Sequence, residues 1–238
     1  MDPYLPHRRR VVEYAGFALV HGRGDSLVAR IETVGEYEPE TIRAVVRTLT
    51  DSESRVLVDV GANIGLVSLA ALARVPGATV YAFEPGPRQH RLLAETIRRN
   101  GLGGRLELSP LALSDTAGTA RFAVHSSRHA AGDGFVDTGR GGKSRSTRVR
   151  TETLDRWWEA RSRPDVAVVK IDTEGSELLV LRGASRLVAA CRPVLLLEIH
   201  EANLRVYPFD VDDVRHEVEA MGYRLEELQP TEFVARPV

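Results

Sequence analysis

A chain of 238 residues, 43% of them apolar, can bury most of the surface it would expose unfolded, which excludes wholesale disorder and any need for disulfide staples. Thirty-two cations against 33 anions leave a formal charge of −1, so no global field draws the chain onto nucleic acid or an anionic membrane. The lone Cys191 excludes an internal disulfide, no apolar run approaches the ~20 residues that span a bilayer, and the MDPYLPHRRR start has no apolar signal segment; the expectation is a cytoplasmic protein with no membrane and no nucleic-acid partner.

Residues 1–36 contain three short β-type segments (10–14, 17–20 and 27–31) separated by glycines, predicting an amino-terminal hairpin or cap ahead of a larger unit over 37–238. Glu38-Pro39-Glu40 then opens an amphipathic helix to about residue 50, with proline in the favoured first turn. From residue 55 strands alternate with helices. Apolar strands are predicted at 56–60, 79–83, 105–108, 166–171 and 194–199, with helices at 64–74, 87–100, 176–190 (weakened at Gly183) and 211–221, and final strands at 223–228 and 232–235. Continuous apolar strands between amphipathic helices predict a doubly wound α/β fold with a mostly parallel sheet, covered on both faces. The alternation breaks at about 115–150, where two strand-like segments flank a tip rich in Gly, Ser, His and Arg, predicting an antiparallel insertion. Residues 121–150 carry seven cations and two acids, which fits either a solvated loop or a lid over a polar or anionic substrate.

In such sheets ligands bind beyond the carboxyl ends of the strands. The first strand of the alternation ends in Asp59-Val60-Gly61-Ala62-Asn63-Ile64-Gly65, and the second in Glu84-Pro85. Glycines there permit a tight turn and close approach of a ligand to the backbone. A dinucleotide fingerprint would need glycine at the third and sixth positions from Gly61, where Asn63 and Leu66 stand. The Asn63 side chain would fill the space of a pyrophosphate, and Asp59 would repel one. Glu84, 23 residues after Gly61, is placed to accept ribose hydroxyls. Together these describe a pocket for a nucleoside joined to an ammonium-bearing group, and S-adenosylmethionine fits it.

The segments DVGANIG, YAFEP, ALSD, TETLD, VKIDTEGSELLVLRGA and VLLLEIH, with Gly35-Glu36-Tyr37-Glu38-Pro39 upstream, resemble the FkbM family of S-adenosylmethionine-dependent methyltransferases, from about Gly35 to His200. The resemblance implies a Rossmann-like class I methyltransferase fold over 37–238 and methylation of hydroxyl groups on secondary metabolites, sugars or lipids. By position it implies that Gly61, Ala62 and Gly65 hold the methionine end, with Asp59 near its ammonium. Glu84 would bind the ribose, the segment from Leu111 through Ala112 to Ser114 would approach the adenine, and the segment around Glu36 would close over the cofactor.

The fourth and fifth strands end in Lys170-Ile171-Asp172-Thr173-Glu174-Gly175 and Glu198-Ile199-His200. On neighbouring strands, Asp172, Glu174, Glu198 and His200 cluster beside the methyl donor. Transfer to a hydroxyl needs the acceptor oxygen held in line and a group that removes its proton. The reading is His200 as general base, oriented by Asp172 or Glu198, acting on a small-molecule hydroxylated acceptor. The same four residues are an alternative ligand set for Mg²⁺. Carboxyl or N-methylation, and a non-catalytic cofactor-binding domain, are the other readings the residues leave open. Of the adjacent tryptophans, Trp157 and Trp158, one is expected in the core and the other over a groove.

Overall fold

A computed structural model describes residues 9–35, 37–125, 133–139 and 144–238. Its first elements are an antiparallel hairpin, β1 (Arg9–Tyr14) and β2 (Phe17–Gly22), followed by helix α1 (Ser26–Val34). The helix replaces the strand expected at 27–31. The Asp25 carboxylate caps it by accepting from Leu27 N at 3.1 Å, and Gly35 closes it in the left-handed conformation. Leu27, Val28 and Ile31 then share one helical face, a spacing that short apolar runs disguise as a strand.

Helix α2 (Pro39–Asp51) precedes the alternation: β3 (Val56–Val60), α3 (Leu66–Arg74), β4 (Thr79–Phe83), α4 (Pro87–Arg99) and β5 (Leu106–Ser109). A short β6 (Ala112–Leu113) pairs with β8 (Ser144–Glu152), which pairs antiparallel with β7 (Gly118–His125). This three-stranded sheet is the expected antiparallel insertion, with the basic tip (Arg128, Arg140, Lys143) outside the described residues. The chain returns through α5 (Leu154–Ala160), β9 (Val168–Ile171), α6 (Glu177–Arg182), α7 (Ser185–Cys191) and β10 (Val194–Glu198). It finishes with α8 (Glu201–Leu204), α9 (Val211–Ala220), β11 (Tyr223–Gln229) and β12 (Glu232–Pro237).

The main sheet has seven strands in the order β11-β12-β10-β9-β3-β4-β5. The five from β10 to β5 are parallel, β12 runs antiparallel to β10, and β11 pairs antiparallel with β12. The chain winds outward from β3 to β5, then crosses back to β9 on the other side of β3. That reversal opens a crevice between the carboxyl ends of β3 and β9, where ligands of such sheets bind.

Alternate residues of each strand face opposite layers. Leu57, Val80, Val168 and Leu196 pack under α2, α3 and α4, while Val58, Val169, Leu195 and Leu197 pack under α5, α6, α7 and α9. Each such buried aliphatic side chain contributes ~1.5–3 kcal/mol. Both tryptophans are buried in the second layer, so neither covers a groove. Trp157 meets Tyr81 and Phe83 edge-on, and Trp158 Nε1 donates to Pro164 O at 2.8 Å.

Two charged side chains of the central strands interrupt the first layer. Asp59 of β3 and Lys170 of β9 are cross-strand partners, so both project into the same apolar face near its ligand-binding edge. Burying either alone is costly, and the fold sets their opposite charges on neighbouring strands, so that Lys170 opposes the rise that burial imposes on Asp59.

Candidate active site

Three strand ends are knitted into the floor of a pocket. Gly61 N and Ala62 N both donate to Phe83 O, at 2.9 and 3.0 Å, and Asp172 N donates to Val60 O at 3.0 Å. Gly61 has φ 79°, and a Cβ there would lie 1.7 Å from the Asp172 carbonyl oxygen, so only glycine lets the two turns approach. Glu84 reaches across the same floor. Its Oε2 accepts from Asn63 N at 2.8 Å and its Oε1 from Gly86 N at 2.6 Å. Burial pushes this carboxyl up to about 8, against those two N–H groups and with the negative charge of Asp133 adding to the rise.

The pocket above is an open cleft of about 570 Å³, part of it bulk solvent. Its lining places Gly61, Asn63, Glu84, Pro85, Ala112 and Asp172 of the expected residues together, with Leu111 and Leu113 on one wall. Phe122, Asp133 and Phe135 from the insertion, and Gln89 from α4, were not anticipated. Four lining side chains are acids (Glu84, Asp133, Asp172, Glu174), and among the described residues none is Lys or Arg.

Other expected residues stand elsewhere. Asp59 and Ala62 face a smaller neighbouring cavity with Tyr37 and Lys170 rather than the main pocket. Asp59 is buried, accepts from Ser68 Oγ through Oδ2, and is raised by burial, with Lys170 opposing the rise. Gly65 is the left-handed residue that starts α3 and packs against Leu93. Ser114 is turned away from the pocket: its N–H donates to Glu152 O at 3.0 Å, and its carbonyl oxygen lies against Gly183. Glu36 lies outside the described residues.

Behind Asp172 is a second cluster. Lys170 Nζ donates to Asp172 Oδ2 at 2.8 Å, and His200 Nε2 lies 2.8 Å from Glu198 Oε1. Oxygens of Glu38, Asp172 and Glu198 lie within 4.8 Å of one another. Burial, then the negative charges of Asp172 and Glu38, push Glu198 up to about 11, so it carries a proton at neutral pH. Asp172 is the opposite case: burial resists ionisation, but Lys170 and a hydrogen bond from Glu198 hold it below its ordinary value. Lys170, though buried, is kept above the usual lysine range by Asp172, Glu38 and Asp59.

The metal alternative assembles differently from its sequence form. Glu174 accepts from Asn203 Nδ2 at 2.7 Å, away from the cluster, and its place is taken by Glu38 at the start of α2. The Lys170 ammonium already supplies a cation against Asp172, so this donor set does not call for Mg²⁺. Glu38 was identified from sequence only as a helix opener; its membership depends on α2 packing across the strand ends.

A doubly wound sheet with a glycine-floored acidic pocket at its switch point is the architecture of class I methyltransferases. The Methyltransferase FkbM domain family matches residues 59–225, and the chain belongs to this family. It is 41% identical over 70 residues (29% of this chain) to the 31-O-demethyl-FK506 methyltransferase FkbM of Streptomyces tacrolimicus. It is 33% identical over 158 residues (66% of this chain) to the hexuronic acid methyltransferase AglP of Haloferax volcanii. Those matches span 26% and 61% of the two relatives' own lengths. Among solved structures, the methyltransferase FkbM of Methylobacillus flagellatus KT shares the fold with a TM-score of 0.54 at 19% identity, over 88% of this chain and 52% of that one. A putative caffeoyl-CoA O-methyltransferase of Staphylococcus aureus has a TM-score of 0.54 at 8% identity, over 92% and 93%. No helix among the described residues is long and apolar enough to cross a membrane.

Proposed function

We propose that this methyltransferase uses S-adenosylmethionine to methylate a hydroxyl oxygen of a small molecule, a secondary metabolite or sugar, with His200 as the general base. The observation that carries the cofactor reading is the lining: among the described residues it holds four acidic side chains, Asp172 of them kept ionised, and no Lys or Arg, which suits a positively charged nucleoside over a diphosphate. Gly61, its Cβ side closed by the Asp172 carbonyl, lines the pocket together with Asn63 and Glu84, which supports the fit. Gly61, Asn63 and Asp172 would hold the amino-acid end, Glu84 the ribose, and Pro85, Leu111, Ala112 and Leu113 the base. When bound, the cofactor supplies an electrophilic methyl group on a sulfonium. The names of the two curated relatives, one a 31-O-demethyl-FK506 and one a hexuronic acid methyltransferase, support an oxygen-rich small acceptor.

The chain's own part is positioning and proton removal. Protonated Glu198 donates to Asp172, and its other oxygen accepts from His200 Nε2–H, which fixes the ring. A neutral His200 takes the hydroxyl proton as the oxygen attacks, and the imidazolium that forms is stabilised by ionised Asp172. Asp59 then acts through Lys170 and not on the cofactor directly.

Calorimetry with S-adenosylmethionine and with NAD, followed by methyl-transfer assays on a panel of hydroxylated acceptors, tests the reading. Binding of the first and not the second is expected. H200A should keep donor affinity within twofold while kcat falls about 10²–10⁴-fold. Unchanged kcat would remove His200 from the mechanism.

A further inference from the structure

The insertion brings one carboxylate into the donor pocket that sequence order gave no reason to place there. Asp133 precedes a two-residue bridge in which Ala123 N donates to Gly134 O at 2.7 Å and Gly134 N to Ala123 O at 3.2 Å. Asp133 Oδ1 accepts from His125 N at 2.8 Å and lies 3.3 Å from His125 Nδ1. The other ring nitrogen, Nε2, lies 3.2 Å from Asp137 Oδ1, and the imidazole is fully buried between the two acids. One oxygen of Asp133 is therefore fixed by the protein.

The other is not. Asp133 has a side chain only 7% exposed, and although Gln89 beside it lowers its carboxyl, its Oδ2 meets no donor at hydrogen-bond geometry. A buried carboxylate oxygen left unpaired is a substantial cost in an otherwise satisfied site. A Cβ built on Gly86 would lie 2.7 Å from Glu84 Oε1, 2.9 Å from Gln89 Oε1 and 3.3 Å from this Oδ2. Three oxygens thus converge on one small space at the pocket wall, and both carboxyl groups, Asp133 and Glu84, are raised mainly by burial. Glu84 Oε1 keeps its bond from Gly86 N, but Asp133 Oδ2 and Gln89 Oε1 have nothing to accept and call for a ligand that donates. Adjacent hydroxyls present two donors side by side, matching two carboxylates.

We propose that Asp133, held by His125, is a second ribose-binding carboxylate of the donor pocket: its Oδ2 accepts from one ribose hydroxyl while Glu84 accepts from the other. The proposal rests on the reading of the pocket as a site for S-adenosylmethionine. It gives the insertion a role in donor recognition, so a segment outside the alternating core completes the cofactor site.

The test is calorimetric titration of wild type, D133N and D133A with S-adenosylhomocysteine and with its 2′-deoxy and 3′-deoxy analogues, alongside thermal melts without ligand. D133A should bind the parent compound about 10–100-fold more weakly. That penalty should shrink to within about threefold for whichever analogue lacks the hydroxyl Asp133 accepts from. The melting temperature of D133A should fall, because His125 N loses its acceptor, so the dependence of the penalty on the analogue carries the test: a purely structural Asp133 would weaken all three compounds alike. D133N, nearly isosteric, carries the test if D133A does not fold. Wild-type-like affinity in a folded variant, or an equal penalty for all three compounds, overturns the proposal and leaves the cofactor reading standing. Absence of binding by folded wild type overturns both.

Discussion

Gly61 shows how much of the site depends on one missing side chain. Its carbonyl neighbour from β9 occupies the space where a Cβ would project, at 1.7 Å, and its φ of 79° is strained for any other residue. The two turns close only because neither constraint applies to glycine. G61A must push Asp172 away from Val60 and so separate the strand ends that carry Glu84 and Asp172. The expected cost is ~3 kcal/mol or more, which lowers the melting temperature of a chain this size by roughly 6–12 °C. Donor binding should be lost even where the variant remains folded. A thermal melt and a calorimetric titration check the two parts separately. A G61A protein that binds S-adenosylmethionine normally would mean that the floor is not the cofactor's seat.

At the scale of elements, the turn from β9 into α6 is held by a buried acid. Glu177 Oε1 accepts from Thr173 N at 3.1 Å, Thr173 Oγ1 at 3.2 Å and Gly175 N at 3.0 Å, tying the loop that carries Asp172 and Glu174 to the helix behind it. Burial pushes Glu177 up to about 7, against the pull of those backbone N–H groups. A carboxyl whose folded pKa is raised holds its proton while the unfolded chain has already lost it. Its contribution is complete below about pH 4.5 and is lost as pH rises toward 7. E177Q keeps an acceptor oxygen and removes the titration. Its stability should therefore fall less than that of wild type between pH 4.5 and 7, by up to about 3 kcal/mol, as measured by urea unfolding across that range. Parallel pH profiles would show that Glu177 does not titrate there. Most elements were legible from sequence because the parallel core repeats one local pattern, apolar strand then amphipathic helix, and each segment carries its own boundary signals. Where an element departs from the pattern, the local signal is partial and its cause lies elsewhere in the chain. The helix expected over 176–190 is divided at Gly183 because Ser114 O approaches to where a Cβ would be 2.1 Å away, and α7 is capped by Asp155 from α5, which accepts from Arg186 N and Leu187 N. A cap 31 residues away in sequence leaves no trace in the local pattern.

Over the whole molecule, the residues read correctly as neighbours (Gly61, Glu84, Asp172) lie at consecutive strand ends, where topology alone brings them together. Glu38 and Asp133 were missed because segments from outside the alternation fold back to deliver them: α2 across one side, the insertion across the other. Lys170 is the point at which these parts meet. Its ammonium faces the partly buried Asp172 just past the end of its own strand and the buried Asp59 on β3 and Glu38 at the start of α2. Thr41 Oγ1 donates to the buried Glu232 of β12, extending the same polar seam from α2 to the far strands. K170M keeps the length of the side chain and removes the only cation in this seam among the described residues, leaving three carboxylates facing one another. Removing one partner of a buried ion cluster costs about 3–5 kcal/mol. The loss has a pH signature. Without Lys170, the folded-state pKa of Asp172, now held low, rises above its unfolded value, and those of Asp59 and Glu38 rise further, so the folded state holds protons that the unfolded chain releases. Stability of K170M then falls as pH increases from about 4 toward 8, whereas the wild-type deficit is smaller because Lys170 keeps Asp172 ionised. Urea unfolding of both proteins at pH 4 and pH 8 should show a small difference at the first and the full difference at the second. A deficit equal at both values would mean that Lys170 serves by packing, and that the charge balance linking α2, the central strands and the site is not what holds them together.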